Sequence, residues 1–214
     1  MALAKALMSP AAKPLVFTLA ALPFAWLVYG AATGNLGANP AEYLIRATGD
    51  WTLRLLCLTL AVTPLRQLTG WHAPARLRRM LGLYTFFYGT LHALAFAWLD
   101  MGLDPAAIVR DIAKRPFILV GASAWLLMLP LAATSFNRAI RALGAARWQA
   151  LHRAVYAVAL LALLHFFWVR AGKNDFAEWA VYAAILTSLL GWRVWRQIKF
   201  RPGVSDETRR GALR

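Results

Sequence analysis

Residues 151–169 read LHRAVYAVALLALLHFFWV, an apolar run broken only by His152, Arg153, Tyr156 and His165. A helix of roughly 20 residues crosses the hydrocarbon of a bilayer, about 30 Å, and this run is long enough to do so. It sets one histidine at its mouth and a second about 20 Å further along, at 1.5 Å per residue. An ionisable residue inside a membrane span is expensive and marks a functional position by default.

Working outward, five more runs of the same kind stand at about Leu15–Ala32, Ala47–Leu65, Met80–Leu99, Phe117–Thr134 and Phe176–Trp195. Across the chain 60% of residues are hydrophobic and 15% are charged, with a mean hydropathy of +0.52. A water-soluble chain of 214 residues could not bury that much apolar surface. In lipid every backbone polar group must be satisfied within its own segment, so each run is expected to be α-helical. The expected fold is an all-α integral membrane protein, a bundle of six transmembrane helices over 15–32, 47–65, 80–99, 117–134, 151–169 and 176–195.

Lysine and arginine in short loops mark the cytoplasmic side. They gather in alternate connections: Arg66, Arg76, Arg78 and Arg79; then Arg138, Arg141 and Arg147; then a basic tail over 196–214 with Arg196, Lys199, Arg201, Arg209, Arg210 and Arg214, joined at the other end by Lys5 and Lys13. The other loops hold most of the acids, among them Glu42, Asp100, Asp104, Asp111, Asp175 and Glu178. Both termini are therefore expected in the cytoplasm. The net charge of +15 reads as a topology signal and an attraction to anionic lipid, not as a nucleic-acid surface.

The first run is read as a span and not a cleaved signal, since it is longer than a signal core and is interrupted by Pro23. Cys57, the single cysteine, excludes an internal disulfide and a multi-cysteine cluster. The segments outside the spans are too short to fold as a separate domain, and no Gly-rich dinucleotide fingerprint occurs. Asp104–Arg115 is expected to form a short interfacial helix, with Asp104 as N-cap and Pro105 at the first helical position.

The third span runs outward, so His92 lies roughly 18 Å from its cytoplasmic end. His165, in the fifth span, reaches a similar depth. Two neutral imidazoles facing each other in a helical bundle can supply both axial ligands of a b-type heme, without the cysteines that covalent attachment requires. Phe86, Phe87, Tyr88, Leu91 and Phe96 flank one candidate ligand, and Phe166, Phe167 and Trp168 the other. Arginines at the membrane surface, among them Arg78, Arg79 and Arg153, would suit the propionates. On an ideal helix His152 and His165 stand roughly 140° apart in azimuth, so both cannot aim at one stack unless the helix is distorted. A second heme at His152 would want a partner near Arg78 or Arg79, where no histidine stands. His72 reads as a solvated loop residue.

The stretches Arg78-Arg79-Met80-Leu81-Gly82-Leu83, Tyr84 to His92, and Trp148-Gln149-Ala150-Leu151-His152-Arg153 with His165 resemble the ferric-reductase-like transmembrane family. Within it they are most similar to the MsrQ family, also called YedZ, over nearly the whole chain. That resemblance implies a heme-binding subunit of the bacterial inner membrane. Such a subunit passes electrons from the quinone pool, or from a cytoplasmic flavin reductase, to a periplasmic molybdopterin-dependent methionine sulfoxide reductase. It implies heme b, one or two per chain, and FMN as cofactors, with His92, His152 and His165 as ligand candidates. The subunit would conduct electrons and leave substrate reduction to its partner. The chain departs from the NADPH oxidases and eukaryotic ferric reductases, which carry two histidines on each of two helices and a C-terminal FAD and NADPH domain.

Arg46, Asp50 and Arg54 recur every four residues and share one helical face. They read either as a propionate or quinol site, or as an ion-paired stripe at the interface. Trp148, Trp179, Trp192 and Trp195 suit an aromatic belt. Two other classes fit the composition: a cytochrome b subunit of a different periplasmic oxidoreductase, and a cofactor-free transporter using the histidines as an ion path.

Overall fold

A computed structural model describes residues 8–199, and among these it is helical with no strand. Lys5 and the tail arginines Arg201, Arg209, Arg210 and Arg214 lie outside the described residues. In chain order the helices are α1 (Ala12–Thr33), α2 (Pro40–Thr69), α3 (Arg78–Ala95), α4 (Pro105–Lys114), α5 (Pro116–Ala133), α6 (Asn137–Leu143), α7 (Ala145–His152), α8 (Ala154–Ala171) and α9 (Ala177–Lys199). A 3₁₀ turn, Ala73–Arg76, precedes α3, and a π turn, Phe96–Asp100, extends it.

Local chemistry sets the ends of these helices. α2 begins with Pro40 after an N-cap, Asn39, whose side chain accepts from the Glu42 N–H. α1 and α2 both end on a glycine in the left-handed region, Gly34 and Gly70 at φ 70°, a conformation that costs a side-chain-bearing residue strain. The interfacial helix falls where expected, as α4, with the Asp104 carboxylate accepting from the Ala106 N–H at 2.9 Å.

Four helical segments are long and apolar enough to cross a membrane: Ala12–Thr33, Arg78–Asp100, Pro116–Ala133 and Ala145–Ala171. They coincide with the expected first, third, fourth and fifth spans. The expected second and sixth fall on α2 and α9, of 30 and 23 residues. Those two have the length, but Glu42, Arg46, Asp50, Arg54 and Arg66 on α2, and Glu178, Arg193, Arg196 and Lys199 on α9, dilute their apolar character. The expected fifth span lies within Ala145–Ala171, where α7 and α8 meet at Arg153, a single turn residue still in the right-handed helical region at φ −67° and ψ −19°.

α2 packs most extensively on α3, and α5 on α8; α3 and α5 join the two pairs, and α9 leans on α8 and α2. The core is built from Leu53, Leu56, Cys57 and Leu60 of α2, Met128 of α5, Val158 and Ala159 of α8, and Leu186 of α9. Elsewhere large apolar side chains such as Leu15, Phe17, Trp26, Leu126, Leu160 and Val181 face outward, as a lipid-facing surface requires. α1 is held to α3 by two tyrosine hydroxyls, Tyr84 donating to Phe17 O at 3.0 Å and Tyr88 deeper in the bundle. The fully buried Tyr88 hydroxyl of α3 donates to Ala20 O at 2.8 Å and accepts from the Phe24 N–H at 2.9 Å. It thus enters the α1 ladder beside Pro23, a helix-interior proline that already removes one bond from it.

Candidate functional site

α3 carries His92 in its last turn, and α8 carries His165. The rings of these two half-buried residues stand with centroids 6.0 Å apart and planes 75° from parallel. His92 Nδ1 lies 2.8 Å from Ile45 O of α2, and His165 Nδ1 lies 2.7 Å from Phe117 O of α5. A carbonyl oxygen only accepts, so each Nδ1 carries the proton and donates. Each Nε2 is then left with its lone pair. That is the tautomer a metal-ligating imidazole adopts when its second nitrogen is held by a backbone carbonyl.

The donor set fits a bis-imidazole metal centre. Two neutral imidazoles with ring centres 6.0 Å apart and both Nε2 lone pairs unspent are donors that would suit one metal ion.

His152 stands elsewhere. Its ring stacks on Trp148 at 3.9 Å and its Nε2 lies 3.1 Å from Thr134 Oγ1, while the Trp148 indole N–H donates to Thr134 O at 2.9 Å. Phe117 and Thr134 mark opposite ends of α5, so the His152 cluster and the His92–His165 pair are separated by roughly 25 Å of helix. His92 and His165 thus stand at one end of the helices and His152 at the other, as their spacing along the chain places them, and among the described residues no cluster of three or more metal-ligating side chains forms. His72 is exposed in the turn before α3.

The candidate arginines belong to the His152 end. Arg78 donates to Thr63 Oγ1 at 3.4 Å, Arg79 to Asn137 Oδ1 at 2.7 Å, and Arg153 is exposed at the α7–α8 junction. Arg78 and Arg79 are about 20 Å along α3 from His92, far from the histidine pair. Beside that pair are other cations. Arg170, five residues after His165, bonds Asp175 at 3.2 Å and also Glu178, and lies over the Phe166 ring. Arg46 pairs with Glu42, and Arg54 donates to the Tyr182 hydroxyl at 3.3 Å and sits over Trp51. Arg46 and Arg54 are thus each engaged with a neighbour, and Lys173 adds a contact to Glu42 at 3.3 Å.

Several flanking aromatics are committed to helix packing. Phe87 meets Phe24 of α1, and Tyr88 is bonded to α1. Phe166 meets Tyr182, and Phe167 meets Trp179, both on α9. The ring beside His165 is Phe117, 6.1 Å away. Nothing in its own segment distinguished Phe117, because its role comes through a backbone carbonyl.

The chain is 64% identical to a protein of Polaromonas naphthalenivorans over 203 residues, 94% of this chain and 93% of that one. That relative is named protein-methionine-sulfoxide reductase heme-binding subunit MsrQ. The chain belongs to the MsrQ family. MsrQ proteins of Ralstonia nicotianae, 61% identical over 84% of this chain and 83% of theirs, and of Bordetella pertussis, 57% over 86% and 91%, bear the same name. The model of the wider family, ferric reductase like transmembrane component, matches residues 48–163. That match takes in His92 and His152 and stops two residues short of His165. No solved structure matches the chain.

Proposed function

We propose that this MsrQ-family chain is the b-type heme membrane subunit of a protein-methionine-sulfoxide reductase system, spanning the bacterial inner membrane six times with both termini in the cytoplasm. It takes electrons from the quinone pool or a cytoplasmic flavin reductase and delivers them to a periplasmic molybdopterin-dependent reductase that repairs oxidised proteins. The observation that carries this reading is the His92–His165 pair, 6.0 Å apart with both Nδ1 atoms on backbone carbonyls. The names of the relatives support it independently.

His92 and His165 would hold the iron through Nε2, and a b-type heme bound there supplies a one-electron iron couple. The bonds to Ile45 O and Phe117 O fix the two rings in tautomer and orientation. Arg170, Arg46 and Arg54 line the outer end and give charge balance to an anionic cofactor edge. At the inner end His152, with Arg78, Arg79 and Arg153 near it, would serve a second heme or FMN. A cleft of about 310 Å³ lined by Thr63, Gln67, Tyr156, Arg193 and Arg196 opens toward that end.

The test is the visible spectrum of detergent-purified protein, oxidised and dithionite-reduced, with hemochrome quantification. A low-spin b-type spectrum is expected in the native chain, lost in His92→Ala and His165→Ala. His152→Ala is expected to lower the heme-to-protein ratio only if a second heme binds. No heme in the native chain, even after reconstitution, would overturn the reading.

A further inference from the structure

The two imidazoles are docked by one repeated device. His92 donates to the carbonyl of Ile45, and four residues later α2 carries Gly49; His165 donates to the carbonyl of Phe117, and four residues later α5 carries Gly121. In an α-helix the N–H of residue i+4 bonds the carbonyl of residue i, so each glycine sits directly over the carbonyl that its histidine shares. A methyl group at Gly121 would come within 2.8 Å of His165 Nδ1 and 2.9 Å of Cε1; at Gly49 it would come within 3.2 Å of the same two atoms of His92.

Glycine is a poor residue for a helix interior, and small residues in membrane bundles let a neighbour come close. Here the neighbour is a hydrogen-bonded ring. At Gly30 and Gly89 an added methyl would also crowd, but against Leu36 and the Met128 methyl end, flexible chains that can turn aside. At Gly121 the crowded atom is the ring nitrogen that donates to Phe117 O, so moving the imidazole aside disturbs that bond.

We infer that Gly49 and Gly121 are positioning residues for the two imidazoles, each opening the helix surface so that a histidine from the paired helix reaches the carbonyl one turn earlier and presents Nε2. The device appears once in the α2–α3 pair and once in the α5–α8 pair, the two most extensively packed pairs of the bundle. It rests on the reading that His92 and His165 hold the heme.

Gly49→Ala, Gly121→Ala and the control Gly82→Ala, where a methyl would meet only Thr59 at 3.7 Å, are to be compared in heme occupancy, midpoint potential and low-spin EPR g-values. Gly121→Ala is expected to lose roughly tenfold or more in heme affinity, as when the bond that orients a ligating histidine is disturbed. Gly49→Ala, with the wider gap, is expected to keep heme with shifted g-values and potential. Gly82→Ala is expected to match the native chain. If Gly121→Ala does not accumulate, Gly49→Ala carries the test by the same readouts. The inference is overturned if the Gly49 and Gly121 variants match Gly82→Ala in all three.

A heme-free arm separates this from the ligand reading. Histidine ¹⁵N shifts of the apoprotein are expected to show the Nδ1–H tautomer at both rings, lost at His165 in Gly121→Ala. A native Nε2–H tautomer would overturn the docking itself, whereas absence of heme from the native chain with the Nδ1–H signal intact would overturn only the ligand reading.

Discussion

Each of the three membrane histidines is bound by a group its own segment could not reveal. His92 and His165 use Nδ1 on carbonyls 47 and 48 residues away in sequence, and His152 uses Nε2 on Thr134. Arg170 shows the same at the outer end, where its side chain, 17% exposed, gathers Asp175 and Glu178. Removing it leaves two acids at the start of α9 without their shared cation. Arg170→Ala is expected to lower stability by about 1–2 kcal/mol, read as a lower thermal midpoint whose deficit shrinks in high salt. An unchanged midpoint at low salt would show that the network is ornamental. At the inner end Trp148→Ala removes both the stack under His152 and the indole bond to Thr134 O. It is expected to cost about 1 kcal/mol and to alter spectra assigned to any inner cofactor, while the His92–His165 signature is retained.

Among the long helices, α1 has the fewest ties to the bundle, and Tyr88 supplies a polar one at full burial. Without the hydroxyl, the Phe24 N–H and Ala20 O must re-pair across a turn already weakened by Pro23. Tyr88→Phe is expected to destabilise by about 1 kcal/mol and to speed proteolysis or hydrogen exchange in α1 ahead of α2 and α3. Uniform exchange across the three helices would contradict this. The turn at Arg153 is a second element-scale feature that periodicity does not register, because it lasts one residue, stays in the helical region and lies between helical segments. The N-cap of α4 was legible, since Asp104-Pro105 acts through contacts within a few residues.

For the whole molecule, the proposed orientation rests on the alternating loop charge. A fluorescent protein fused at the C-terminus is expected to fold and fluoresce, and alkaline phosphatase fused there to be inactive, whereas phosphatase fused after Leu103 is expected to be active. An active C-terminal phosphatase would refute the six-span topology, in which α2 and α9 must cross despite their charges. The sequence by itself determined that the chain is helical, that it belongs in lipid, and that His92 and His165 lie at similar depth, because hydropathy, helix rise and capping are properties of a single segment. The tertiary structure decided that the His92 and His165 rings meet, that His152 stacks on Trp148 beside Thr134, that Arg78 and Arg79 bond Thr63 and Asn137, and that Gly49 and Gly121 lie under the imidazoles. Those facts depend on the azimuth at which one helix faces another, and that is set by packing between residues far apart in the chain.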